Sequence, residues 1–378
     1  AGSNILNGQD GDDTLTAASG TNTLNGGNGD DILTALLGSN TLNGDDGDDT
    51  LTAAAGSNTL NGGNGEDTLI ALSGDNTLNG DADNDMLFGG VGTNTMNGGT
   101  GSDFLLGGLL PSTNIMHGNE DGDLLIGGVG TNEMYGDEGT DLLIGGIGTN
   151  VMSGGDDTDY MLGGVGDNTM NGDDGDDVMV GGAGENALSY LAGFTDLLPD
   201  EYETAVNGAL GSVPAGSIGG GSNTMNGGNG DDIMIGGLSD NLMHGDQGDD
   251  LLVGGLGAEN EMYGDEGEDL LIGGAFSTGS NWMYGGVDDD LLIGGAYSGN
   301  HMYGEDGSDI LVGGLEGTND MYGGNGEDLL VGGLNSDNTM SGGADSDLLI
   351  GGLGGSNDIS GDDGADLLIG GYESDNTM

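Results

Sequence analysis

Large apolar residues return along this chain every nine positions, set among glycine, acid and amide. From Gly26 the chain reads GGNGDDILT, ALLGSNTLN, GDDGDDTLT and AAAGSNTLN, so the unit is 18 residues made of two related nonapeptides. The eighth place of each is Leu, Met or Ile: Leu33, Leu51 and Met179 in one half, Met96, Met134 and Met283 in the other. Side chains alternate along a strand, so the seventh and ninth places face away from the eighth. One inward apolar residue per nonapeptide predicts two thin sheets over a narrow core. Such tandem self-similarity marks a solenoid whose units bury their apolar residues only by stacking. The fold class expected is therefore all-β, a parallel solenoid with two strands per 18-residue coil. Glycines at the first, second and fourth places are expected to supply the left-handed φ of tight turns. The methionine column reads as core filler rather than as a metal site, because Met adapts to irregular gaps.

The sixth place separates the two halves. In one it is always Asp: Asp13, Asp31, Asp49, Asp67, Asp85, Asp103, Asp123, Asp141, Asp159 and Asp177, then Asp232, Asp250, Asp269, Asp290, Asp309, Asp328, Asp347 and Asp366. In the other it is always Asn, from Asn4, Asn22 and Asn40 to Asn338, Asn357 and Asn376. Later Asn halves carry extra residues ahead of that Asn, as in GGAFSTGSNWMY, and the register recovers each time. Insertions are thus expected in turns, not strands.

Charge makes the Asp column a problem. The chain holds 67 acidic residues with no Lys, Arg or Cys, a formal charge of −67. Self-repulsion on that scale opposes a compact state, and no internal cation offsets it. The regular apolar spacing argues against disorder, so cations from outside must supply the positive charge. The lack of basic residues excludes nucleic acid and anionic membrane as electrostatic partners. No apolar run is long enough to span a membrane, and no signal peptide is visible at residue 1.

At GGNGDDILT (Gly26–Thr34), GGNGDDIMI (Gly227–Ile235) and GGNGEDLLV (Gly323–Val331) the chain resembles the repeats-in-toxin (RTX) nonapeptide, GGxGxDxUx with U a large apolar residue. That resemblance implies a right-handed parallel β-roll. It also implies Ca²⁺ between successive turns, held by turn carbonyls and the sixth-place Asp, with type I secretion and folding in external calcium. The chain departs from the pattern systematically, since alternate nonapeptides carry Asn for Asp and early Asn halves open with Ala17-Ala18 or Ala53-Ala54. Carboxylates stacked about 4.8 Å apart need cations between them, whereas amides can bond one another. One calcium edge and one metal-free Asn ladder are expected. Nine gaps between Asp rungs precede the interruption and seven follow it, giving about 16 ions at one per gap. Carboxylate and carbonyl oxygens favour Ca²⁺ over Mg²⁺, which dehydrates reluctantly.

Residues 190–217 interrupt repeats spanning 1–189 and 218–378, read as one continuous solenoid. After Pro199, residues Leu198, Tyr202, Ala205, Val206, Ala209 and Leu210 fall at helical spacing, with Asp200, Glu201 and Glu203 in the first turn. One short amphipathic helix is expected, packed over the roll or against a neighbouring molecule.

No catalytic constellation emerges. His117, His244 and His301 sit at outward seventh or ninth places, and no HExxH, GxSxG or P-loop motif occurs. The recurring Asp pairs are ion ligands or solvated surface, so the chain is not read as an enzyme. About 18 coils would make a rod some 90 Å long, suited to a surface layer, sheath, fibre or adhesin stalk in a secreted or cell-surface protein. Two alternatives stay open. Outward ranks Thr23/Asn25, Thr41/Asn43, Thr59/Asn61, Thr77/Asn79 and Thr95/Asn97 resemble ice- or surface-binding arrays, until Glu133/Tyr135, Trp282/Tyr284 and Asp320/Tyr322 break them. The chain could equally be the secretion and folding module of a larger toxin or hydrolase. Outward places of the Asp halves begin as Thr14/Thr16 and Thr50/Thr52. They turn apolar as Met86/Phe88, Phe104/Leu106, Leu124/Ile126, Leu142/Ile144, Ile233/Ile235, Leu270/Ile272, Leu291/Ile293 and Leu348/Ile350. A strand apolar on both faces belongs to a covered sheet, covered here by a second copy or in part by the helix.

Overall fold

The computed structural model describes residues 2–182, 221–276 and 279–378. Two compact units divide the chain, one ending at Gly166 and the other beginning at Asp167. Each is an all-β parallel solenoid with one longer strand from every Asn half and one short strand from every Asp half. Asn40–Asp46 and Asn260–Glu266 typify the first kind, Phe104–Leu106 and Leu270–Ile272 the second. Within each unit strands pair with their counterparts one coil on, in register: Asn40↔Asn58 and Leu42↔Leu60 in one sheet of the first, Leu270↔Leu291 and Ile272↔Ile293 in the other sheet of the second. No helix among the described residues is long and apolar enough to cross a membrane.

The core is the eighth-place column of both sheets. From Leu15 to Ile359 these side chains are buried, most of them completely, including Met96, Met116, Met134, Met152 and Met170. The eighth-place methionines of that span lie in this core, where a filler belongs. Removing one such residue should be costly, because neighbours in a close-packed stack relax only partly into the gap. Leu271→Ala should cost about 2–5 kcal/mol, seen as a lower urea midpoint of the calcium-loaded protein. A change within error would mean that the column is not the core.

Added residues are absorbed without loss of register. Asn94 bonds Asn114 across 20 positions and Asn260 bonds Asn281 across 21, where other rungs are 18 or 19 apart. In the second unit Asn168 pairs with Asn223, 55 positions on, and the ladder continues unbroken. The helix expected near residues 198–210 lies outside the described residues.

One expectation about glycine is corrected. The second and fourth places do take left-handed φ, as at Gly27 (123°) and Gly29 (118°), and even where the residue is Asp45 (79°) or Asp83 (73°). First-place glycines such as Gly26 and Gly44 do not. They are needed for space: a Cβ on Gly26 would stand 2.2 Å from Asp31 Oδ2 and 2.7 Å from the Gly44 carbonyl oxygen. The first glycine therefore makes room for the sixth-place carboxylate.

Candidate metal centre

The sixth-place aspartates point inward beneath the turns and, from Asp31 to Asp347, are at most 3% exposed. Their burial follows from the alternation that buries the eighth place, since residues six and eight share a face. In the first unit the Asp13 N–H donates to Asp31 Oδ1, and the same bond repeats through Asp49, Asp67, Asp85, Asp103, Asp123, Asp141 and Asp159. In the second unit it runs from Asp177 through Asp232, Asp250, Asp269, Asp290, Asp309, Asp328 and Asp347 to Asp366. These bonds span 2.6–3.1 Å.

The other oxygen is left over. Oδ2 of Asp31, Asp49, Asp67, Asp85, Asp103, Asp123 and Asp141, and of Asp232 through Asp347, is buried with no hydrogen-bond partner. A buried carboxylate oxygen without a partner carries its full desolvation cost. Burial, reinforced by neighbouring acids and opposed by the N–H bond, pushes Asp67 up to about 7, Asp85 and Asp232 to about 8 and Asp123 to about 9. In a chain without Lys or Arg, the column ionises fully at neutral pH only with cations from outside.

The chemistry of these donors fits a hard divalent cation. Among the described residues no three carboxylates or histidines converge on one point. Each rung offers one carboxylate, so the remaining ligands of an ion held here are oxygens of the turn backbone, the donor class Ca²⁺ accepts.

The Asn column is already satisfied. Asn22 Nδ2 donates to Asn40 Oδ1 at 2.7 Å, Asn58 to Asn76 at 2.9 Å, Asn223 to Asn241 at 2.8 Å and Asn300 to Asn319 at 2.9 Å. In later coils turn backbone completes the amide: the Gly255 N–H donates to Asn260 Oδ1 and the Gly255 carbonyl accepts from Nδ2, at 2.7 and 3.1 Å. The two edges thus differ in kind, one acidic with an orphaned oxygen on each of the rungs named above, the other neutral and self-bonded.

The histidines stay apart but are not idle. Each meets a carboxylate of the next coil: His117 with Asp137 at 3.0 Å, His244 with Asp265 at 3.2 Å and His301 with Asp320 at 3.1 Å. Ninth-place rings also stack, His244 on Tyr263, Tyr284, Tyr303 and Tyr322, with centroids 4.5–5.0 Å apart. Sequence reasoning missed both features, although the ring stack can be read down the ninth-place column of successive coils. Such stacks add about 0.5–1.5 kcal/mol per pair and stiffen the roll.

The model of the RTX calcium-binding nonapeptide repeat, in four-copy blocks, matches residues 1–33, 34–69, 70–105, 117–152, 153–188, 217–252, 244–277, 263–296, 299–316 and 322–355. The chain belongs to the RTX repeat family. No curated protein matches it significantly. RTX nonapeptides are calcium-binding repeats, and the orphaned carboxylate oxygens of this RTX chain call for the same class of ion.

The raised pKa values give a signed pH dependence for the calcium-free RTX chain. A carboxyl whose folded pKa lies above its unfolded value of 3.8 favours the fold at low pH, and that contribution is lost as pH rises through the folded value, here about 6 to 9. Dialysed free of calcium, the chain should gain β signal by circular dichroism on going from about pH 8 to about pH 5. Its calcium affinity should fall over the same interval, because bound ions require ionised ligands. A metal-free spectrum that shows no gain toward acid would contradict the buried column.

Proposed function

We propose that this RTX chain is a secreted structural repeat protein. Calcium bound along the sixth-place Asp column holds its solenoid folded, and its apolar sheet assembles laterally into a layer, sheath, fibre or stalk. The orphaned Oδ2 column in a chain without basic residues carries the calcium half of the reading. The eighteen aspartates from Asp13 to Asp366 are the proposed ligands, about 16 ions in one row at one per gap between rungs. The bound ions would supply the charge that lets the column ionise. An extracellular location follows from the millimolar calcium that weak oxygen-donor sites need.

The apolar sheet supports the assembly half. In the second unit Ile233, Ile310, Leu367 and Ile369 are exposed, and Ile235, Leu251, Leu270, Ile272, Leu291 and Ile293 half-buried. In the first unit Leu124, Leu142 and Ile144 are buried. Replacing Leu270 and Ile272 with Thr, as Thr50 and Thr52 already stand in an early coil, should abolish assemblies in electron micrographs while calcium binding is retained. Wild-type protein that stays monomeric in calcium would count against lateral assembly.

A second reading, an ice- or surface-binding array, is favoured by one observation in the first unit. Outward Asn25, Asn43, Asn61, Asn79 and Asn97 each donate to the preceding rung, all at 2.7 Å, beside the Thr rank. Thermal hysteresis by the calcium-loaded chain would support it, and its absence would remove it.

A further inference from the structure

The apolar surface of the second unit is wider than its sheet. Three residues past the ninth place, after the Gly-Gly pair, each coil carries an apolar shoulder: Leu256, Ala275, Ala296, Leu315, Leu334, Leu353 and Tyr372. Backbone bonds hold this shoulder in line, Glu316 N–H to the Leu334 carbonyl, Asn335 to Leu353 and Gly354 to Tyr372. Leu256, Leu315, Leu334, Leu353 and Tyr372 are all exposed. No acid stands in the seventh-place or ninth-place column of the Asp halves, or in the shoulder column, of this unit, although acids are common elsewhere on the chain.

Next to the shoulder stands an oddity. Phe276 and Tyr297 are 65% and 49% exposed, and their rings stack face to face with centroids 5.0 Å apart. Both hold left-handed backbone, φ 56° and 59°. For a bulky aromatic residue that conformation is strained, and it persists only where the surroundings impose it. Here Phe276 N–H bonds the Ala296 carbonyl at 2.9 Å and Tyr297 N–H the Leu315 carbonyl at 2.7 Å. Other coils place Gly257, Glu316, Asn335, Gly354 and Glu373 at this station, all at left-handed φ, which Gly and Asn accept at little cost. Two aromatic side chains are thus displayed to solvent, against backbone preference, beside an uncharged face.

We propose that the Phe276–Tyr297 pair is the anchor through which the second unit binds a second copy of this chain, sheet to sheet. The inference rests on the lateral-assembly reading and adds its anchor and its extent. Nine rungs about 4.8 Å apart and three columns about 15 Å wide make a face of roughly 600 Å². That exceeds the few hundred Å² a soluble monomer leaves bare and approaches the roughly 800 Å² per partner of a stable interface. A second copy presents the same apolar columns at the same rung period, so ridges and grooves match along the whole face, as in packed sheets. Its three apolar columns bring no charge to bury. Large aromatic side chains are enriched among the residues that carry most of an interface's binding energy.

The test is sedimentation of the calcium-loaded full chain across a concentration series, comparing wild type, Phe276→Asn with Tyr297→Asn, and Leu270→Thr with Ile272→Thr. Asparagine removes the rings and suits the left-handed backbone, so the first variant should fold at least as stably as wild type. Its self-association should weaken roughly tenfold or more, with calcium binding unchanged. Wild-type-like association by the Asn variant, with loss in the Thr variant, would overturn the anchor while leaving lateral assembly intact. Monomeric wild type at every concentration would overturn both. Recovery of monomer on neutral phosphatidylcholine vesicles, in place of self-association, would likewise overturn the proposal in favour of lipid.

Discussion

With calcium removed at pH 7.5, the far-ultraviolet spectrum should be that of an unfolded chain, and millimolar Ca²⁺ should restore the β signal. The forces are lopsided enough to decide this. The core contributes only one buried Leu, Met or Ile per nonapeptide, set against the ordering of nine residues. Backbone pairing narrows that deficit, but the carboxylate column widens it, because ionised aspartates such as Asp85 and Asp290 are buried with an unsatisfied oxygen beside other acids. Without cations the column stays closed only by binding protons, and Asp269 and Asp309, held up to about 6, would by then have lost theirs. Magnesium should restore the signal far less well, since it demands stricter geometry and sheds water reluctantly. An unchanged β spectrum in calcium-free buffer at pH 7.5 would refute the dependence.

The second large effect separates the two edges. Asp250→Ala removes the carboxylate that accepts the Asp232 N–H at 2.7 Å and strips ligands from the two gaps it borders. The calcium midpoint for folding should rise several-fold, with the orphaned N–H adding about 1–3 kcal/mol. Asn241→Asp acts oppositely in charge and alike in stability. It replaces an amide that donates to Asn260 and accepts from Asn223, both at 2.8 Å, with an acid that cannot donate when ionised. The buried, uncompensated charge should cost about 3–5 kcal/mol without adding a bound ion. If Asn241→Asp gained a calcium ion and kept its stability, the Asn edge would be a latent metal row.

Much of this molecule is legible before any coordinates. The eighth-place column reads directly as core because its period matches the coil, and turn insertions betray themselves when Asn114 and Asn281 resume their places after longer gaps. The Asn ladder follows from an amide being both donor and acceptor, and the structure has those bonds. What pattern could not reveal is where backbone donors go. Nothing in GGNGDD says that the Asp13 N–H clamps Asp31 Oδ1, or that Gly26 is glycine to clear Asp31 Oδ2 rather than to turn the chain. Both depend on the depth to which the sixth side chain sinks beneath its turn, a three-dimensional distance with no period of its own. The shoulder column escaped for another reason: Leu315, Leu334 and Leu353 lie in what reads as turn, where apolar residues seem incidental until the coils align them.

The central claim, a single calcium row along the carboxylate edge, is tested most directly by anomalous diffraction from crystals grown in calcium. Peaks should form one file beside the sixth-place aspartates, Asp31 to Asp141 in the first unit and Asp232 to Asp347 in the second, with none along the Asn ladder. Peaks on both edges, or an Asp column without them, would contradict the account.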